Sequence, residues 1–166
     1  MRGFTLAIAV LIAGQAIAVD SAFLIVTGQI DKADPGCEPA PCARFDEARL
    51  GALPQQSLTV DIPVWLAGKQ QFSGPTMLSV LDAVGARGKH VEFVALNRYK
   101  VTIPSSDFAD MPVILARRQN GKLLSIRQRG PLWLMYPFAE RTPISTAIEP
   151  IRQKSIWQVV QVRVLP

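Results

Sequence analysis

Three tryptophans, Trp65, Trp133 and Trp157, carry the most distinctive chemistry of this chain. Each lies at or near the end of an apolar run, and Trp65 and Trp133 have glycine or proline close by. An indole in such a place either packs in a core, needing a single hydrogen bond, or offers a face on which a flat aromatic ligand stacks. Tyr99 and Tyr136 would add a polar edge, because small-ligand pockets combine an apolar lining with a few directed polar groups. Arg117, Arg118, Arg127 and Arg129 flank an Asn120-Gly121 pair, and on a two-stranded ribbon alternate side chains share a face. A solvated hairpin surface explains most of them. The one best suited to enter a pocket is Arg127, whose guanidinium is a rigid donor fork for a carbonyl or an anion. Asn97 either serves a turn or reads a ring edge through its amide. Asp61 alternates away from its apolar neighbours and reads as a solvated carboxylate, with acceptance from a ligand amino group as the alternative.

Other chemistries lack parts. The only histidine, His90, follows Lys89 in a polar stretch and reads as an exposed turn residue. No Cys–His or Ser–His–Asp arrangement can be assembled around it, so no catalytic residue is assigned. The two cysteines, Cys37 and Cys42, are spaced C-x4-C around "EPAP". Zinc asks for about four Cys, His or carboxylate ligands, so no metal site is expected, and in an exported chain this spacing reads as one small disulfide loop.

Export is suggested by the first residues. Arg2, the apolar run Phe4–Ala13 and Ala16-Ile17-Ala18 have the order of a secretory leader with cleavage after Ala18. Gly14 and Gln15 interrupt the run before the roughly 20 residues a spanning helix needs. The expected organisation is a leader over 1–18 and one domain over 19–166, which is 148 residues once the first 18 of 166 are removed. A chain 49% hydrophobic and 19% charged can bury a core of that size. The net charge of +5, or +4 without Arg2, is dispersed, with no like-charge block and no nucleic-acid motif, so nucleic acid is not an expected partner.

The elements that must position these residues are mostly strands. "FLIVTGQI" (23–30) reads as a buried strand and "FDEARLGAL" (45–53) as a short helix with Leu50 and Leu53 inward. "SLTVDIPV" (57–64) alternates Leu58, Val60, Ile62 and Val64 on one face. "GPTMLSVLDAVGARG" (74–88) reads as the clearest helix, with Pro75 in its first turn, Gly85 at its C-terminal cap, and Met77, Val80, Leu81 and Val84 as an inward stripe. "HVEFVALN" and "YKVTIP" read as strands joined near Asn97-Arg98. "PVILARRQNGKLLSI" reads as a hairpin turning at Asn120-Gly121, "GPLWLMYP" as a strand between Pro131 and Pro137, and "VVQVRVLP" as a strand with Val160, Val162 and Val164 on one face. Few helices among many strands give an α+β domain, β-rich, with a mixed-sheet or barrel-like core.

The order and spacing of "VTGQI", "FDEARLGALPQQSLTV", "W..G...FSGPTMLSVLDAVGA", "ALNRYKVTIPSSDF", "PVILARRQNGKLLSIRQRGPLWLMYP" and "IRQKSIWQVVQV" resemble the molybdopterin-binding domain of the sulfite oxidase superfamily, over about residues 23–164. The small exported members of that superfamily are the nearest in pattern. In catalytic members a cysteine thiolate ligates molybdenum from the loop after the strand matching "SLTVDIPV". Here that loop reads "PVWLAG", and Cys37 and Cys42 fall well upstream. A soft thiolate is the protein's direct grip on such a metal, so no molybdenum is expected. The resemblance implies instead a pocket for a pterin, as in periplasmic pterin-binding proteins that signal to a membrane-bound enzyme of cyclic di-GMP turnover. By that resemblance Trp65 is the stacking residue, and Trp133 and Tyr136, in "GPLW..YP", wall the pocket. Asn97, Tyr99 and Arg127 are candidates for its polar edge. This chain continues "YPFAERTP", with Glu140 alone where small relatives carry a short acidic loop. The expected function is that of an exported, periplasmic, non-catalytic pterin binder, of reduced pterin or a molybdopterin-like ring, with the periplasmic region of a membrane signalling protein as partner. The alternatives are a molybdopterin-dependent oxidoreductase and an interaction module whose aromatics are only core.

Overall fold

The computed structural model describes residues 23–62, 65–138 and 148–166, so the expected leader lies outside the described residues. The apolar run of β1 (Leu24–Gly28) pairs antiparallel with β2 (Cys42–Phe45). The loop between them is closed by a Cys37–Cys42 disulfide, as expected. Asp34 organises the same loop, accepting from the Arg44 amide at 2.6 Å and pairing with Arg49 at 2.7 Å. Burial opposes ionisation of Asp34, but the Arg44 amide and the Arg49 guanidinium outweigh it and hold the carboxyl below its ordinary pKa. Asp46 then caps α1 (Glu47–Ala52) through the Arg49 amide, and Leu50 is the buried residue of that helix.

β3 (Gln55–Val60) and β4 (Gln70–Pro75) form an antiparallel pair leading into α2 (Met77–Ala83). The hairpin of β5 (His90–Ala95) and β6 (Lys100–Pro104) turns at Asn97-Arg98, and α3 (Ser106–Asp110) follows. β7 (Ile114–Ala116), β8 (Arg118–Gln119) and β9 (Lys122–Leu123) precede a 3-10 turn over Ile126–Gln128 and β10 (Trp133–Met135). α4 (Ile148–Lys154) and β11 (Val159–Leu165) complete the chain.

These strands make three sheets: five strands in the order β2-β1-β11-β5-β6, four in the order β3-β4-β8-β9, and the pair β10-β7. β1 runs parallel to β11 and the other paired strands are antiparallel, so the expected mixed, β-rich α+β class is the observed one. β7 and β10 are buried along their whole length, which is why they read as unbroken apolar runs rather than alternating ones. Phe72 from the four-stranded sheet and Phe93 from the five-stranded sheet share one core with Trp133 and Leu115. A Cβ on Gly74 would overlap the Leu115 carbonyl, so glycine is what lets β4 approach β7 this closely.

Four sequence expectations shift. Gly74 and Pro75 end β4, paired with Gln56 and Gln55, instead of opening the helix. Thr76 is the cap, accepting from the Ser79 amide at 3.2 Å, and the stripe Met77, Val80, Leu81 and Val84 is buried as expected. The long hairpin over 113–126 divides. Its apolar part, Ile114–Ala116, enters the central pair with β10, and only Arg118–Gln119 and Lys122–Leu123 pair around Asn120 and Gly121, at φ 49° and 78°. In β11 a bulge between Val159 and Gln161 shifts the pleat, so Val159 is buried in place of Val160. β3 ends at Val60, with Ile62 buried beyond it, while Pro63 and Val64 lie outside the described residues.

A disulfide across so short a loop removes about 2 kcal/mol of unfolded-state freedom. Because Asp34 also holds the loop, reduction, or the Cys37→Ser/Cys42→Ser pair, should lower the unfolding free energy by about 2 kcal/mol, read as a lower denaturation midpoint. Equal midpoints with and without reductant would contradict this.

Candidate functional site

A turn, the start of a strand and the segment before another strand bring the tryptophans together. Trp65 lies just beyond β3, where its amide and that of Leu66 both donate to the Ile62 carbonyl at 2.8 Å. Trp133 opens β10, and Trp157 precedes β11 and bridges to Trp133 across the backbone. The ring centroids are 5.9 Å apart for Trp65–Trp133, 5.6 Å for Trp65–Trp157 and 6.0 Å for Trp133–Trp157. The contacts are tilted or edge-to-face, the arrangement aromatic quadrupoles favour. Phe72 adds an edge to Trp133 at 5.3 Å and Phe138 an edge to Trp65 at 6.4 Å. Trp133 is wholly enclosed, with its indole N–H donating to the Ser155 carbonyl at 3.2 Å, whereas Trp65 and Trp157 keep part of their surface exposed.

Arg129 sits among these rings. Its guanidinium carbon is 5.0 Å from the Trp133 centroid and 5.4 Å from that of Trp157, within cation–π range. Its Nη1 donates to the Trp65 carbonyl at 2.9 Å. Arg129 follows the 3-10 turn in the left-handed region, φ 68°, and its carbonyl accepts from the amide of Gln158, itself at φ 57°. Left-handed backbone at a non-glycine residue costs on the order of 1 kcal/mol and persists only where its surroundings fix it. These contacts supply that fixing.

Two cavities open beside this cluster. One, of about 380 Å³, is lined by Trp65, Trp157, Ala95, Asn97, Tyr99 and the segment around Arg152–Ile156. The other, of about 470 Å³, is polar and lined by Gln70, Gln119, Arg127, Gln128 and Arg129 as well as Trp65 and its neighbours. Trp65 is the residue the two share. Both volumes fall in the range of small-ligand sites, about 300–1,000 Å³. In the first, Asn97 Oδ1 accepts from the Tyr99 amide at 3.0 Å, which leaves the Asn97 amide NH2 as its donor. Tyr99 is 54% exposed at the rim.

The sequence candidates therefore separate. Trp65, Asn97 and Tyr99 meet at the first cavity, and Arg127 lies at the second. Trp133 and Tyr136, expected as pocket walls, are fully buried and line neither. The reason is topological: β10 runs through the middle of the core, so its side chains have no free face. The Tyr136 hydroxyl is already engaged, donating to Asp107 Oδ2 at 2.9 Å, an oxygen that also takes Lys154 Nζ at 2.7 Å. Arg117 is buried against Glu47, and Arg118 donates to the Gly121 carbonyl at 3.2 Å. Asp61 and His90 are exposed, and His90 opens β5. Sequence reasoning missed Arg129 as the cation at the rings, and Gln158 with it. Arg127 and Arg129 stand two residues apart in "IRQRG", and no local signal distinguishes them.

Burial, and then the hydrogen bond and charge of Asp107, push the Tyr136 phenol well above its ordinary pKa. A raised folded-state pKa contributes stability below the unfolded value, about 10, that is lost as pH rises past it. Thermal stability should therefore hold towards pH 10 and fall above it, and Tyr136→Phe should flatten that alkaline slope. An unchanged slope in the variant would remove Tyr136 from the account.

Comparison with known proteins agrees with this architecture. A family described as "Oxidoreductase molybdopterin binding domain" matches residues 47–141. Among solved structures, the sulfane dehydrogenase SoxCD from Paracoccus pantotrophus superposes with a TM-score of 0.63 at 16% identity, over 88% of this chain and 38% of that one. The likeness is one of fold, and the chain spans well under half the length of that relative. No curated protein sequence matches the chain.

Proposed function

The chain belongs to the oxidoreductase molybdopterin-binding domain family, and from that premise we propose that it is an exported protein that binds a pterin ring without catalysing a reaction on it. The observation that carries the reading is the partly exposed Trp65 indole at a cavity of about 380 Å³ whose rim offers the Asn97 amide and the Tyr99 hydroxyl. A flat heterocycle needs a ring to stack on and a few hydrogen-bonding groups at its edge. That cavity supplies both.

Support for a ring held without the metal comes from the donor set. The chain contains two cysteines, both committed to the Cys37–Cys42 disulfide, so no thiolate remains to ligate molybdenum. Among the described residues no group of three His, Cys, Asp or Glu could hold a metal ion either. Export to the periplasm is supported by the leader pattern of residues 1–18 and by the disulfide. In this reading pterin occupancy is passed to the periplasmic region of a membrane-bound cyclic di-GMP enzyme. That step rests on the resemblance to small exported relatives. A molybdopterin-dependent oxidoreductase is the second reading, favoured by the family match itself, although fold does not determine function.

Stacking of a base-like ring on an aromatic side chain is worth about 1–3 kcal/mol. Trp65→Ala should thus weaken binding of a reduced pterin by about tenfold or more, read by calorimetry, while circular dichroism stays native. Equal affinities would end the stacking role. In protein purified from the exported compartment, elemental analysis should find molybdenum far below one per chain. One molybdenum per chain would establish the oxidoreductase reading instead.

A further inference from the structure

We propose that Arg129 is the positioning residue of the ring platform: it holds the Trp65 indole at the boundary between the two cavities. The proposal deepens the pterin-binding reading and rests on it for its ligand. Trp65 sits in a turn, not a strand, so its ring is not oriented by a sheet. Its backbone is tied to the opposite side of the cluster through one long-range side-chain bond, from Arg129 Nη1 to its carbonyl at 2.9 Å. The same guanidinium lies 5.0 Å and 5.4 Å from the centroids of Trp133 and Trp157. The Arg129 carbonyl, in turn, accepts the Gln158 amide at 3.0 Å, directly after Trp157. One residue thereby links the turn carrying Trp65, the strand carrying Trp133 and the segment carrying Trp157.

The chemistry is specific to arginine. A planar fork can donate sideways to a carbonyl while its face or edge stays against indole rings. An ammonium is a strongly hydrated point and cannot satisfy both demands from one position. Arg127, two residues earlier, is exposed. Arg127 lines the second cavity as a candidate for a ligand's polar edge, whereas the link to the rings is made by Arg129.

The test compares the wild type with Arg129→Lys and Arg129→Met. The readouts are the tryptophan exciton couplet in the circular dichroism of ligand-free protein and calorimetric binding of tetrahydrobiopterin. Lysine keeps the charge and most of the stem and should fold. Its couplet should be reduced and its affinity about tenfold weaker, as expected from losing one charge-assisted bond and part of a cation–π contact. Methionine should lose more of both. A wild-type couplet and wild-type affinity in Arg129→Lys overturn the proposal. If Arg129→Met fails to fold, the lysine variant still decides. If the couplet falls in Arg129→Lys but the wild type itself does not bind tetrahydrobiopterin, the positioning role stands and the pterin reading fails.

Discussion

The enclosure of Trp133 is the constraint on which the site depends. A buried indole must find an acceptor for its N–H, and here the acceptor is the Ser155 carbonyl, at the junction between α4 and β11. That bond, the backbone bridge to Trp157 and the pairing of β10 with β7 fix the ring on several sides. Truncating a core aromatic typically costs about 3–5 kcal/mol, a large part of a domain's net stability of about 5–15 kcal/mol. Trp65 and Trp157 then lean on a ring that cannot move, and Arg129 stands over it.

One residue type thus does three jobs. Trp133 is a pillar, Trp157 is a half-exposed wall, and Trp65 is the surface common to an apolar and a polar cavity. Tyrosine divides in the same way. Tyr136 is locked in the interior to Asp107, which also takes Lys154, and Tyr99 stands at the rim. The polar cavity beside Trp65, with Arg127, Arg129 and three glutamines, gives a bound ring a second face of quite different chemistry.

Much of the fold is written locally. β1, the β5–β6 hairpin, the inward stripe of α2 and the Asn120-Gly121 turn follow from periodicity and turn chemistry. Where expectation and structure part, a long-range contact has overridden a local preference. Pro75 is acceptable in a helix's first turn and equally at a strand's end, and it is the approach of β4 to β7 at Gly74 that decides. Burial of Trp133 and Tyr136 could not be read from "GPLWLMYP", because it depends on β10 pairing with β7 inside the core, where both strands are wholly buried. The role of Arg129 depends on a left-handed backbone at one residue and on two segments distant in sequence. By contrast, the disulfide is legible at once, since the chain has two cysteines and they lie five positions apart.

In the proposed function, Trp65 and its cavity hold a pterin ring without molybdenum. Mass spectrometry of the small molecule released from protein purified out of its native compartment tests this most directly. A pterin, free of metal and in proportion to protein, is the expected result. A molybdenum-bearing pyranopterin, or no organic ligand in protein taken directly from the cell, would contradict it.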